Sequence, residues 1–60
     1  MNDLLFQEFK TNKILSRRVC GQIPRVGEYV AFDKDDVYKV LCVLYTYYIS
    51  SPVTIIVEKN

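Results

Sequence analysis

Residues 37–49 read Val-Tyr-Lys-Val-Leu-Cys-Val-Leu-Tyr-Thr-Tyr-Tyr-Ile. No other stretch constrains the fold as much. β-Branched and aromatic side chains dominate it, and such side chains favour a pleated, extended backbone. It is longer than the usual strand of about five or six residues. Successive side chains along a strand point to opposite faces. Tyr38, Val40, Cys42, Leu44, Thr46 and Tyr48 then line one face, and Lys39, Leu41, Val43, Tyr45, Tyr47 and Ile49 line the other. Both faces are apolar. A single sheet that covers only one face of this strand leaves the other in need of a second cover.

The rest of the chain supplies partners for it. After the turn signal Ser50-Ser51-Pro52, Val53–Glu58 returns as a strand with Val53, Ile55 and Val57 inward and Ile56 as the odd apolar residue outside. Upstream, Glu28–Phe32 alternates, with Val30 and Phe32 on one face and Tyr29 and Ala31 on the other. Asp33-Lys34-Asp35-Asp36 reads as a polar hairpin connection. Its three carboxylates lack the glycine and the distal glutamate of a calcium loop, so a solvated turn explains them. Pro24 and Gly27 mark the turn that delivers the chain into the strand at Glu28, proline by fixing φ and glycine by allowing a positive one. Residues 14–20 have no clean apolar face and two arginines, as an edge strand does. In residues 4–9, Leu4 and Phe6 fit a strand and Leu5 and Phe9 fit one helical face. A strand leading to a turn at Thr11-Asn12 is preferred, with a helical turn as the alternative. The sum is one all-β domain over residues 1–60, with a core region at 23–58 and an N-terminal hairpin at 1–22. Four to five antiparallel strands form a small meander or barrel.

Size sharpens the problem of the two-faced strand. The chain has 60 residues, half of them apolar and a quarter charged, which is globular composition. A domain this short buries only about 60% of the surface its unfolded chain exposes. Small scaffolds usually add disulfides, a metal or a partner subunit. Cys20 and Cys42 have no metal-ligand spacing, and histidine is absent, so a zinc site is a poor reading. The expected cover is a second copy of the chain in a two-fold dimer. Leu41, Val43, Tyr45, Tyr47, Ile49 and Ile56 are the candidate interface. The alternative is a strongly curved barrel that wraps the long strand around its own core.

The chemistry-bearing residues favour binding over catalysis. Without histidine, a Cys–His nucleophile cannot be assembled within one chain. Glu28, Asp33, Asp35 and Asp36 lie in turn-like segments where solvated charge is normal. No enzyme activity and no cofactor or metal are expected. Residues 1–27 carry five basic side chains against two acidic ones, and residues 28–60 carry three against five. The balance is too even for a non-specific nucleic-acid binder, which needs a strongly basic face. Arginine does suit bidentate contact with phosphate, and tyrosine suits stacking on bases. Arg17, Arg18 and Arg25 with Tyr45, Tyr47 and Tyr48 are therefore a candidate nucleotide-type pocket. The plainer explanation is edge protection by the arginines and packing by the tyrosines. No transmembrane run and no secretory signal is evident, which makes the cytoplasm the expected compartment.

The sequence Ile23-Pro24-Arg25-Val26-Gly27-Glu28-Tyr29-Val30, then Val37-Tyr38-Lys39-Val40-Leu41-Cys42-Val43, then Val53-Thr54-Ile55-Ile56-Val57, resembles very small SH3-like β proteins, many of them encoded by phages and prophages. The shared pattern, P-x-x-G-[DE]-x-V followed by Y-x-V-x-x-V, covers residues 23–57. The resemblance implies a small SH3-like barrel, often oligomeric, in the host cytoplasm. By analogy it also implies an inhibitor of host machinery or of anti-phage defence, acting on a host protein or sequestering a nucleotide-derived signal. The alternatives are an SH3-like or OB-like RNA- or DNA-binding module and a minor structural or assembly subunit.

Overall fold

The computed structural model describes residues 2–45, 47 and 53–60, with side chains at all of these except positions 2 and 20. Five strands are present: β1 (Asn2–Glu8), β2 (Ile14–Cys20), β3 (Tyr29–Asp33), β4 (Asp36–Leu44) and β5 (Val53–Lys59). They form one sheet in the order β2-β1-β5-β4-β3, curled into a half-barrel. The all-β expectation is met, and residues 4–8 lie in a strand rather than in a helical turn. The pairs β1/β2, β3/β4 and β4/β5 are antiparallel. The central pair β1/β5 is parallel, with Leu4 opposite Val53 and Glu8 opposite Val57. An all-antiparallel meander does not contain such a pair. It arises because the two hairpins meet through β1 and β5 rather than through β2 and β3.

Both tight turns follow from local chemistry. After β1 the Asn12 N–H donates to the Glu8 carbonyl at 2.9 Å, and the Glu8 N–H donates to the Lys13 carbonyl at 2.8 Å. Asn12 takes the left-handed conformation, φ 57°, which asparagine tolerates better than most residues. Between β3 and β4, the Asp33 carboxylate accepts the Lys34 N–H at 2.8 Å. Such local carboxylate–backbone bonds are what make aspartate a turn residue.

The core lies on the concave face. Leu4 and Phe6 of β1, Val40 of β4, and Ile55 and Val57 of β5 are fully buried. Leu15, Ile23, Val30, Phe32, Tyr38, Val43 and Val53 pack against them. The curl is visible in one aromatic contact. Phe6 on β1 meets Phe32 on β3 edge-to-face, with ring centroids 5.1 Å apart, although two strands separate them in the sheet. Tyr38 extends the row, 5.5 Å from Phe32.

A bulge in β4 corrects the strict alternation expected for residues 37–49. Val40 is opposite Val57, yet Cys42 is opposite Ile56 and Val43 is opposite Ile55. Leu41 is therefore an extra residue. An inserted residue of this kind shifts the pleat by one position. Before it, Tyr38 and Val40 face the core. After it, Val43 faces the core, and Cys42 and Leu44 face the convex side. Much of the apolar character on the strand's two faces is thus one buried face read across a phase shift. Val43 belongs to this chain's own core, and it does not share an outer face with Leu41.

Candidate functional site

Strand directions gather several features at one end of the half-barrel. The C-terminal ends of β2 and β4 and the N-terminal ends of β1, β3 and β5 all lie there. The loop from Gly21 to Glu28 leaves β2 at one edge of the sheet and reaches β3 at the other. Ile23 anchors it by packing on the core. The segment Arg25–Glu28 is a tight turn. The Glu28 N–H donates to the Arg25 carbonyl at 3.0 Å, and the Glu28 carboxylate accepts the Arg25 N–H at 2.8 Å. Gly27 has φ 93°, which a side chain at the third turn position would resist. The Gly27 N–H donates to the Val40 carbonyl at 2.9 Å, and the Val40 N–H donates to the Glu28 carbonyl at 2.8 Å. These two bonds clamp the turn to β4.

Beside the clamped turn lies an open recess of about 450 Å³, lined by Gln22, Ile23, Pro24, Glu28, Tyr29 and Val30 among others. A more polar recess of about 350 Å³ adjoins it, lined by Gln22, Ile23, Arg25 and Glu28. Large apolar side chains stand exposed around the same end: Val26, Tyr29, Leu44, Tyr45 and Tyr47, the last 92% exposed.

The three arginines do not converge. Arg17 points from the convex face, and its guanidinium grips the Asp3 carboxylate at 2.8 and 3.3 Å. Hydrogen bonding to that guanidinium holds the Asp3 carboxyl below the usual carboxylate range, and Asp3 holds Arg17 correspondingly high. Arg18, one residue on, points to the concave side. It donates to the Ser16 hydroxyl at 3.1 Å and lies 5.9 Å over the Phe32 ring, where it caps the core between the two sheet edges. Only Arg25 lines a recess. Tyr45 and Tyr47 are exposed at the loop end, and Tyr48 lies outside the described residues.

The candidate dimer surface divides in the same way. Leu41 and Ile56 are half-buried on the convex face. Val43 is in the core, Tyr45 and Tyr47 project from the loop end, and Ile49 lies outside the described residues. Cys42 is a free, half-buried thiol beside Ile56.

Tyr29 and the recess were not among the sequence candidates. Alternation set Tyr29 on the face opposite Val30 and Phe32, next to the Pro24–Gly27 turn. What the sequence lacked was the strand order that brings this turn to the same end as Tyr45 and Tyr47. Among the described residues, no group of acidic, cysteine or histidine side chains could hold a metal ion, and no helix is long and apolar enough to cross a membrane. No protein-family model matches the chain, and neither a curated protein nor a solved structure matches it.

Proposed function

We propose that this protein is a non-catalytic interaction module that binds a partner protein through the loop end of its half-barrel and acts by blocking that partner. One observation carries the reading: Val26, Tyr29, Leu44, Tyr45 and Tyr47 stand exposed at a single end, where Tyr29 also lines a recess. Clustered exposed apolar groups mark interaction surfaces. Tyrosine is among the residues that dominate binding energy, because it combines apolar area with a hydroxyl. The clamped turn supports the reading by fixing Tyr29 before any partner arrives, which lowers the entropic cost of binding. In its concrete form, the partner is a bacterial host or defence protein and the chain is phage-encoded.

Sequestration of a nucleotide-derived signal has less support. It needs cationic groups directed at one ligand, and Arg17 and Arg18 leave from opposite faces and are already engaged. A nucleic-acid module would need a basic face, and Arg17 is neutralised by Asp3.

A photo-crosslinking residue at position 47, with position 11 as control, tests the reading in bacterial lysate. A discrete protein adduct from position 47 is expected, weakened at least tenfold by Tyr29→Ser with Tyr45→Ser. Adducts at position 47 no stronger than at position 11 would overturn it.

A further inference from the structure

The half-barrel is an open sheet with two edges. Among the described residues, no strand pairs with the outer side of β2 or of β3. Unpaired edges carry backbone donors and acceptors that another chain is able to use. The two edges here are not alike, and their differences match.

Direction is the first match. β1 and β5 are parallel; β2 reverses once from that direction, whereas β3 reverses twice, through β4. β2 and β3 therefore run opposite ways. A second copy placed beside the first in the same orientation sets its β2 antiparallel to β3, and the sheet simply continues.

Apolar surface is the second match. On the convex face, β3 presents Tyr29, 56% exposed, and β2 presents Val19, 63% exposed. A register that sets Tyr29 opposite Val19 of the next copy also sets Ala31 opposite that copy's Arg17. Aromatic and β-branched pairs are among the more stabilising cross-strand neighbours.

Charge is the third match. In that same register the Asp33–Asp35 turn comes beside the hairpin that carries Lys10 and Lys13. Both turns lie at the end of the sheet opposite the loop, on opposite edges. The alternative two-fold pairing of β2 with its own copy leaves Lys10 and Lys13 without the acidic Asp33–Asp35 turn beside them.

The geometry points to a second copy of this chain as the occupant of each edge: β3 of one protomer adds to β2 of the next, with Tyr29 against Val19 and Asp33 and Asp35 facing Lys10 and Lys13. The partner is a second copy, as the sequence suggests, but the contact joins unlike sheet edges head to tail instead of pairing the faces of β4 about a two-fold axis. Extra residues at Leu15 in β2 and Phe32 in β3 keep the regular ladder short, so the contact is weak and sensitive to salt. It shares Tyr29 with the reading above but not Tyr45 or Tyr47, and its test changes only charges at the opposite end of the sheet, so the two fail separately.

Sedimentation velocity on three chains tests it: wild type, Lys10→Glu/Lys13→Glu, and Asp33→Lys/Asp35→Lys. At low salt the wild type is expected to sediment faster as its concentration rises towards millimolar. At about 1 M salt, where screening acts within about 3 Å, it is expected to return to monomer. Each charge-reversed chain alone should stay monomeric, because its two turns then carry net charge of the same sign. An equimolar mixture should associate again, since acidic edges then meet basic ones, and this recovery also shows that both variants are folded. A wild-type chain that remains monomeric at millimolar concentration in low salt overturns the proposal without any variant. So does a reversed chain that associates as the wild type does, or a mixture that sediments like its components.

Discussion

Ile55 and Ile56 are neighbours of one residue type that face opposite sides of the sheet. Ile55 is fully buried on the concave face, opposite Phe6 on β1 and Val43 on β4. Ile56 is half-buried on the convex face, between Gln7 and Cys42. Among the described residues, every buried hydrophobic side chain belongs to the concave set. The convex set is mixed: Leu5, Thr54, Cys42 and Ile56 sit among Asp3, Arg17, Gln7, Lys39 and Glu58. Apolar content alone does not tell which face of a strand is the core. The curl decides, because it lets β1 and β3 touch across the concave side while the convex side diverges.

That contrast is open to direct attack. Ile55→Ala is expected to have the largest effect, about 3 kcal/mol, from lost transfer energy and the cavity left behind. A domain of this size rarely holds more than about 5 kcal/mol. Urea titration followed by circular dichroism should show a transition displaced to less than half its wild-type midpoint, whereas Ile56→Ala should cost less than about 1 kcal/mol. Equal losses at the two positions would mean that the convex face is covered as thoroughly as the concave one.

Deletion of Leu41 sharpens the comparison, and a smaller loss is expected. Leu41 is the extra residue of the bulge, so its removal leaves Val40 and Val43 inward and Cys42 outward. The shortened chain should still unfold cooperatively, with only the bend at the bulge lost. Strict alternation of residues 37–49 requires the reverse, because the deletion would then turn Val43 and Tyr45 over. A deletion variant without a cooperative transition would refute the bulge.

The smallest effect belongs to the convex ion pair. Asp3 titrates below its ordinary range in the folded chain because Arg17 donates to it. A carboxylate held low stabilises the fold above its unfolded value, and that contribution disappears as pH falls through the folded value. Both partners are exposed, and exposed pairs contribute little. Asp3→Asn should therefore leave stability at pH 7 nearly unchanged and slightly flatten its decline on acidification. A steep acid transition abolished by this one substitution would show that the convex face carries more of the fold than its exposure suggests.

Much of the fold was legible because turns announce themselves. Thr11-Asn12, Pro24 with Gly27, and Asp33–Asp36 each occupy the turns their chemistry suggests, Val30 and Phe32 share one face as alternation requires, and Ile55 and Val57 face the core as expected. The bulges were not legible. Neither Leu15, Phe32 nor Leu41 has a residue type that signals an insertion, since a bulge is a compromise between two strands and only one of them is read at a time. The candidate site was partly legible for the same reason. That Tyr29 lies on the face opposite Val30 and Phe32 follows from local alternation, but its meeting with Tyr45 and Tyr47 at one end depends on strand order. The separation of Arg17 from Arg18 was implicit in their adjacency, since neighbours on a strand diverge.

The parallel pairing of β1 with β5 governs how this domain reaches its native state. Its two central strands are the first and the last to be made. The β1/β2 hairpin forms early but has nothing to bury Leu4 and Phe6 against, and an isolated hairpin is marginal in water. The β3/β4 hairpin stands in the same position with Val40. Both wait for β5, whose Ile55 and Val57 join the two halves. Closing so long a loop before any core exists slows folding. The two hairpins therefore become one domain in a single step, when β5 docks between them.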